Sequence, residues 1–218
     1  MKVLIACEYS GAVRDAFIKQ GHDAMSCDLL PTDVPGPHYQ GSVTDILNDG
    51  WDLMIAHPPC TYLAVSGNRW LYNKDGSKNE ERWTNRREAL DFVRLLMDAP
   101  IERIAVENPV SVISSEIRKP DQIIQPWQFG DEAQKTTCLW LKNLPKLKPT
   151  KIVGKGEMVT YKSGNTMPKW YADAFKLPKA ERQKLRSKTF QGIADAMAEQ
   201  WGRKLCPIHQ LPRQMELI

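Results

Sequence analysis

Pro58-Pro59-Cys60 follows a short apolar run, residues 51–56, that reads as a buried strand. Two prolines fix φ and remove two amide donors, which sets Cys60 in an extended turn at the end of that strand. A thiol held there can attack an electrophile once it loses its proton, a loss that nearby positive charge or a helix N-terminus would favour. The plain alternative is a structural cysteine, because free cysteine is commonly buried and inert. Glu107-Asn108 closes a second apolar run, residues 101–106. Burial of a glutamate there is costly unless it is paired or protonated, and burial raises its pKa. The expected state is therefore a neutral acid able to donate a proton. Capping the next helix is the other role open to it, and Asn108 would do that better.

The elements around these residues alternate between strand and helix. Residues 3–8 form an apolar run ending in a turn at Tyr9-Ser10-Gly11, and Ala12, Val13, Ala16 and Phe17 then recur at helical spacing up to Gly21. Residues 22–28 read as a strand ending in Asp28. A helix fits residues 80–97, with Leu90, Val93, Leu96 and Met97 on one face. This rhythm predicts a mostly parallel sheet with helices on both faces, a Rossmann-like α/β fold. Ligands of such sheets gather beyond the carboxyl ends of the strands. Glu8-Tyr9-Ser10-Gly11, His57-Pro58-Pro59-Cys60 and Glu107-Asn108-Pro109 all fall there, so the fold should bring them together. Beyond Pro120, residues 122–129 and 136–141 read as an antiparallel pair, 145–168 as loop with one short strand, and 169–175 and 190–201 as helices.

A chain of 218 residues with 42% hydrophobic and 26% charged residues fits one soluble domain with elaborations. No apolar run approaches the ~20 residues of a membrane span. The N-terminal residues lack the form of a signal peptide, so a cytoplasmic location and no membrane partner are expected. The five cysteines are scattered singly, which argues against a disulfide framework and a zinc ribbon. Cys206 and His209 have ligand-like spacing but no second pair, so no metal is expected. Charge is uneven: residues 142–188 hold 13 Lys or Arg against 3 Asp or Glu. Such a block suits contact with phosphates, or simply a solvated face.

Pro58-Pro59-Cys60 followed by Glu107-Asn108 resembles the DNA cytosine carbon-5 methyltransferase family, most closely its compact phage and prophage members. Other landmarks are similar too. Glu8, Tyr9, Ser10 and Gly11 stand at the family's glycine-rich cofactor loop, with one glycine where more are usual. Asp28 stands where an acid binds the cofactor ribose, and Asp45-Ile46 where a pair meets its adenine. Ser66-Gly67 resembles the start of the mobile catalytic loop. Phe129-Gly130 through Gln134 resembles the motif ending in Gln-x-Arg-x-Arg, and Gly192-Ile193-Ala194 the C-terminal turn of the cofactor pocket. The resemblance implies a Rossmann-like S-adenosylmethionine-dependent methyltransferase fold with S-adenosylmethionine as cofactor and cytosine in DNA as substrate. It implies catalysis by Cys60, Glu107 and Asn108, and cofactor contacts from Glu8 to Gly11, Asp28, Asp45, Ile46, Pro58 and Gly192. Substrate contacts are implied for Pro59, Ser66, Gly67, Arg69, Gln134, Lys135 and Thr136.

The sequence departs from the family at two points. Gln134-Lys135-Thr136-Thr137-Cys138 lacks both arginines, which leaves Lys135 to meet the ring's exocyclic oxygen. Only about 50 residues separate this motif from Gly192, too few for a large target-recognition domain. The expected organisation is a catalytic core over 1–141, a basic reduced recognition region over 142–187, a returning helix over 188–204 and a tail over 205–218. Arg69-Trp70, Tyr72, Trp83 and Arg86-Arg87 interleave rings and cations as single-strand binders do; an elaborate surface loop is the alternative. Three other functions stay open at this level: the same chemistry on a free pyrimidine nucleotide, transfer to an exocyclic nitrogen, and a degenerate module that binds nucleic acid or cofactor without catalysis. His57 and Cys60 fit the nitrogen-acting enzymes poorly.

Overall fold

The computed structural model describes residues 1–203, so the Cys206/His209 pair and the 205–218 tail lie outside the described residues. Seven strands form one sheet in the order β3-β2-β1-β4-β5-β7-β6. They are β1 (Lys2–Ala6), β2 (Asp23–Asp28), β3 (His38–Gln40), β4 (Leu53–Ala56), β5 (Arg103–Asn108), β6 (Gln122–Ile124) and β7 (Thr137–Lys142). The first five run parallel; β7 is antiparallel to both β5 and β6. This is the mostly parallel, Rossmann-like α/β fold expected from the strand–helix rhythm.

Burial on both faces explains the central strands. All four residues of β4 are buried, as are four of five in β1, the continuous apolar reading typical of a sheet covered by helices. Alternate side chains serve opposite layers. Leu4, Ala6, Met54, Ala56, Ile104 and Val106 pack beneath α2 (Glu80–Met97), through Leu90, Val93 and Leu96. Val3, Ile5, Leu53, Ile55 and Ala105 face the layer holding α1 (Ala12–Lys19) and α6 (Gln191–Trp201). Helix α2 begins where the Asn79 side chain accepts from the Arg82 amide, with Glu80 and Glu81 in the first turn.

Several local expectations change. β5 runs on through Glu107 and Asn108 rather than stopping before them, because β7 pairs with both, Glu107 against Leu139 and Asn108 against Cys138. The strand expected over 122–129 is shorter, since Pro126 starts a 3-10 turn over Pro126–Gln128. Residues 145–168 hold two short strands, β8 (Met158–Thr160) and β9 (Thr166–Pro168), paired as a hairpin. They lead into α4 (Lys169–Ala174) and then α5 (Lys179–Ser187), a helix the sequence reading missed. The remaining helix, α3 (Ile113–Glu116), is a single turn.

At Gly192, in the first turn of α6, a Cβ would lie 1.9 Å from the Phe129 carbonyl oxygen, which is backbone and cannot swing aside. Gly192→Ala is therefore expected to lower unfolding free energy by about 1–3 kcal/mol, read from equilibrium urea denaturation.

Candidate active site

β1 and β4 are neighbours from which the chain proceeds in opposite directions across the sheet, so a crevice opens at their carboxyl ends. On the β4/β5 side, Ala56 is in register with Val106, which sets His57 beside Glu107 one residue later. His57 Nδ1 lies 2.9 Å from Glu107 Oε2. The Asn108 amide donates to the Pro58 carbonyl at 2.8 Å, fixing the double-proline turn from the next strand. Two backbone bonds, Val65 amide to Val110 carbonyl and Val112 amide to Leu63 carbonyl, join the two loops beyond. Cys60 thus stands exposed at the tip of a braced turn.

Electrostatics at this site differ from the sequence expectation. Burial pushes Glu107 up, but the His57 hydrogen bond and the nearby Lys135 charge outweigh it, and the carboxyl lies below its ordinary value. The neutral acid expected from burial alone is thus corrected: burial is present, and a hydrogen-bond donor reverses its effect. The Cys60 thiol lies above its ordinary value, through desolvation first and the Glu107 carboxylate second. Lys135 and Arg186 act in the opposite direction. Arg186, on α5, also lies over the Tyr171 ring at 4.3 Å. The sequence flagged Arg186 only as one cation of the 142–188 block, and its charge bears on Cys60 through the fold of that excursion. The sequence reading also passed over His57 as a partner of Glu107; the parallel register of β4 and β5 is the signal that could have found it.

The other expected site residues fall into separate groups. Glu8 is buried and accepts from the Val13 and Arg14 amides, so its carboxylate caps α1. Ser10 donates to the same carboxylate, and Tyr9 reaches across to the Ser187 hydroxyl of α5. Gly11 has φ 73°, the left-handed turn that lets α1 begin. Just below it, the fully buried Arg14 donates to Ser26, Thr32 and the Val34 and Pro35 carbonyls, fastening the loop after β2. Asp28 uses Oδ1 to accept from the Leu30 amide. Asp45 accepts from the Tyr39 hydroxyl, and Ile46 is buried with its carbonyl bound by Trp51.

Ser66, Gly67 and Arg69 lie on a 3-10 turn, Val65–Leu71, that follows Cys60. Arg82 and Arg86 of α2 hold this segment through the Thr61 and Tyr62 carbonyls and Asn68. Arg69 stacks on Trp70, which is exposed. The Gln134 carbonyl accepts from Trp170, and the Thr136 hydroxyl accepts from Gln125. Lys135 donates to the Lys188 carbonyl and lines a small recess with Glu107, Thr137, Thr189, Phe190 and Ile193. Gly192 is taken up by packing, its amide donating to Asp131. Among the described residues no cluster of His, Cys, Asp and Glu could hold a metal, and no helix is long and apolar enough to cross a membrane.

No family model and no curated protein matches the chain. Among solved structures it is similar to a prophage-encoded protein of E. coli, provisionally described as a DNA modification methyltransferase. That similarity has a TM-score of 0.49 and 16% identity, over 71% of this chain and 52% of the other. The chain thus matches about half the length of that structure.

Proposed function

We propose that the protein is an S-adenosylmethionine-dependent methyltransferase acting on carbon-5 of cytosine in DNA through a covalent adduct at Cys60. The observation that carries this reading is the pairing of an exposed thiol and a recessed carboxyl at adjoining strand ends. Asn108 braces the turn between them.

The chemistry follows from the ring. An unactivated pyrimidine carbon is a poor nucleophile, so covalent help is needed. The Cys60 thiolate adds to carbon-6, and the electron pair of the 5,6 double bond spreads through the ring toward N3. Glu107 faces N3, where a proton bridging the two meets that charge. Carbon-5, now nucleophilic, is alkylated; loss of its proton to a base then expels Cys60 as thiolate and restores the ring. S-adenosylmethionine, when bound, supplies the electrophilic methyl group.

The residues on the β1/β2 side suit that cofactor. Asp28 ends β2 beside the 8–11 loop and keeps Oδ2 without a hydrogen bond among the described residues, as a ribose diol requires. Asp45, Ile46 and Pro58 would complete the holding set with the backbone of Tyr9 to Gly11. Lys135 would meet the exocyclic oxygen. The basic 142–188 region would neutralise backbone phosphates, with Ser66, Gly67 and Arg69 approaching from the other side.

The deciding experiment supplies radiolabelled S-adenosylmethionine with unmethylated single-stranded DNA, duplex DNA and free dCMP. Label on carbon-5 of cytosine in a polymer is expected. Label on dCMP alone would replace DNA by a nucleotide as substrate, and label on an exocyclic nitrogen would overturn the reading.

A further inference from the structure

His57 is not needed by the covalent mechanism, yet it is the side chain most closely engaged with Glu107. Its ring is mostly buried, and Nδ1 sits 2.9 Å from Oε2. The second ring nitrogen, Nε2, is buried and has no partner among the described residues. A proton on Nε2 would bury a donor without an acceptor and leave a bare Nδ1 facing a carboxylate. The tautomer with the proton on Nδ1 avoids both costs, so His57 donates and Oε2 accepts. Glu107 Oε1 accepts no hydrogen bond among the described residues, while the carboxylate borders the recess.

The two carboxylate oxygens therefore have different duties. We infer that His57 is a positioning residue that holds Glu107 by Oε2 and reserves Oε1 for the ring, so that the proton joining Oε1 to a cytosine N3 enters with the substrate. A carboxylate oxygen and cytosine N3 are both acceptors and can join only through an added proton. Base binding then takes up one proton from solvent. The proton passes from Oε1 toward N3 as Cys60 adds to carbon-6, and returns when Cys60 leaves. This inference rests on the cytosine reading and adds the source of the acid.

The groups facing the carboxylate from neighbouring elements are consistent with it. Lys135 and His57 favour the ionised form of Glu107. Glu107 in turn raises the thiols of Cys60 and of Cys138 on β7. Arg186 approaches Cys60 from α5. Thr189, Phe190 and Ile193, on the α6 side of the recess, carry no charge.

The test is calorimetric binding of a cytosine-containing single-stranded oligonucleotide at pH 6.5, without cofactor, in two buffers of different ionisation enthalpy. The parent protein should take up about one proton per oligonucleotide, because its Glu107 begins ionised. His57→Ala should take up less than half as much, its Glu107 being already protonated in part. His57→Asn, which keeps an amide donor near the position of Nδ1, should behave as the parent. Equal uptake by the parent and His57→Ala would overturn the inference. A second measurement needs no substrate: carbon-13 NMR of the Glu107 carboxyl should show its titration moved upward in His57→Ala, far enough to leave at least about half of it protonated at pH 6.5. An unmoved titration would also overturn the inference. A moved titration in a protein that transfers no label supports the His57 clamp and removes the cytosine reading instead.

Discussion

Replacing Cys60 by alanine is expected to lower label transfer to cytosine by at least ~10⁴-fold while leaving the fold intact. The size follows from the chemistry, since without addition at carbon-6 the ring offers no nucleophilic carbon-5. The side chain is exposed and makes no hydrogen bond to another side chain, so stability should change by no more than about 0.5 kcal/mol. Denaturation curves of parent and variant that coincide, beside label that vanishes, separate catalysis from folding. A variant that retained more than about a tenth of the parent rate would exclude the covalent route.

Glu107→Gln is expected to cost ~10²–10⁴-fold in kcat, the range in which a positioned acid contributes. The amide can still approach N3, but it has no proton to release. The pH profile is informative because the two titrating groups are displaced in opposite directions, Glu107 downward and Cys60 upward. Catalysis needs the protonated carboxyl and the deprotonated thiol, the minority form of each between the two displaced values. Below the Glu107 value, kcat/KM should rise about tenfold per pH unit as thiolate accumulates. Between the two values, gain of thiolate and loss of acid cancel, giving a plateau. Above the Cys60 value, thiolate is saturated and kcat/KM falls as the acid disappears. Glu107→Gln should remove the plateau, leaving a rise that continues to the Cys60 value. An unchanged kcat with an unchanged profile would take Glu107 out of the chemistry.

The sequence made the central sheet legible because β1, β4 and β5 carry apolar stretches, residues 3–6, 53–56 and 104–106, buried on both sides. Loops at the ends of such strands could be placed together without coordinates, and Asn108 does bond the Pro58 carbonyl in the turn that carries Cys60. The protonation of Glu107 could not be read from burial alone, because it turns on the His57 contact and the Lys135 charge. Register would have suggested that contact, since parallel β4 and β5 align Ala56 with Val106. Glu8 has a use that its type and place did not disclose: a carboxylate beside a glycine turn suits a ligand site, and here it also accepts from the first turn of α1. Helix α5 was invisible because it buries none of its residues, so it has no apolar stripe from which a helical period could be read.

That absence of burial has a mechanical consequence. Helix α5 carries Arg186 and Ser187 at its C-terminal end and meets the β1/β2 side through polar contacts, Tyr9 with Ser187 and Asp33 with Lys184. Neither fastening is fully shielded from solvent, and exposed ion pairs of this kind hold weakly and yield to salt. Salt should therefore loosen α5 from the β1/β2 side first, leaving it held by Arg182 and Arg186 on the Phe175 and Tyr171 rings while both buried layers of the sheet stay shut.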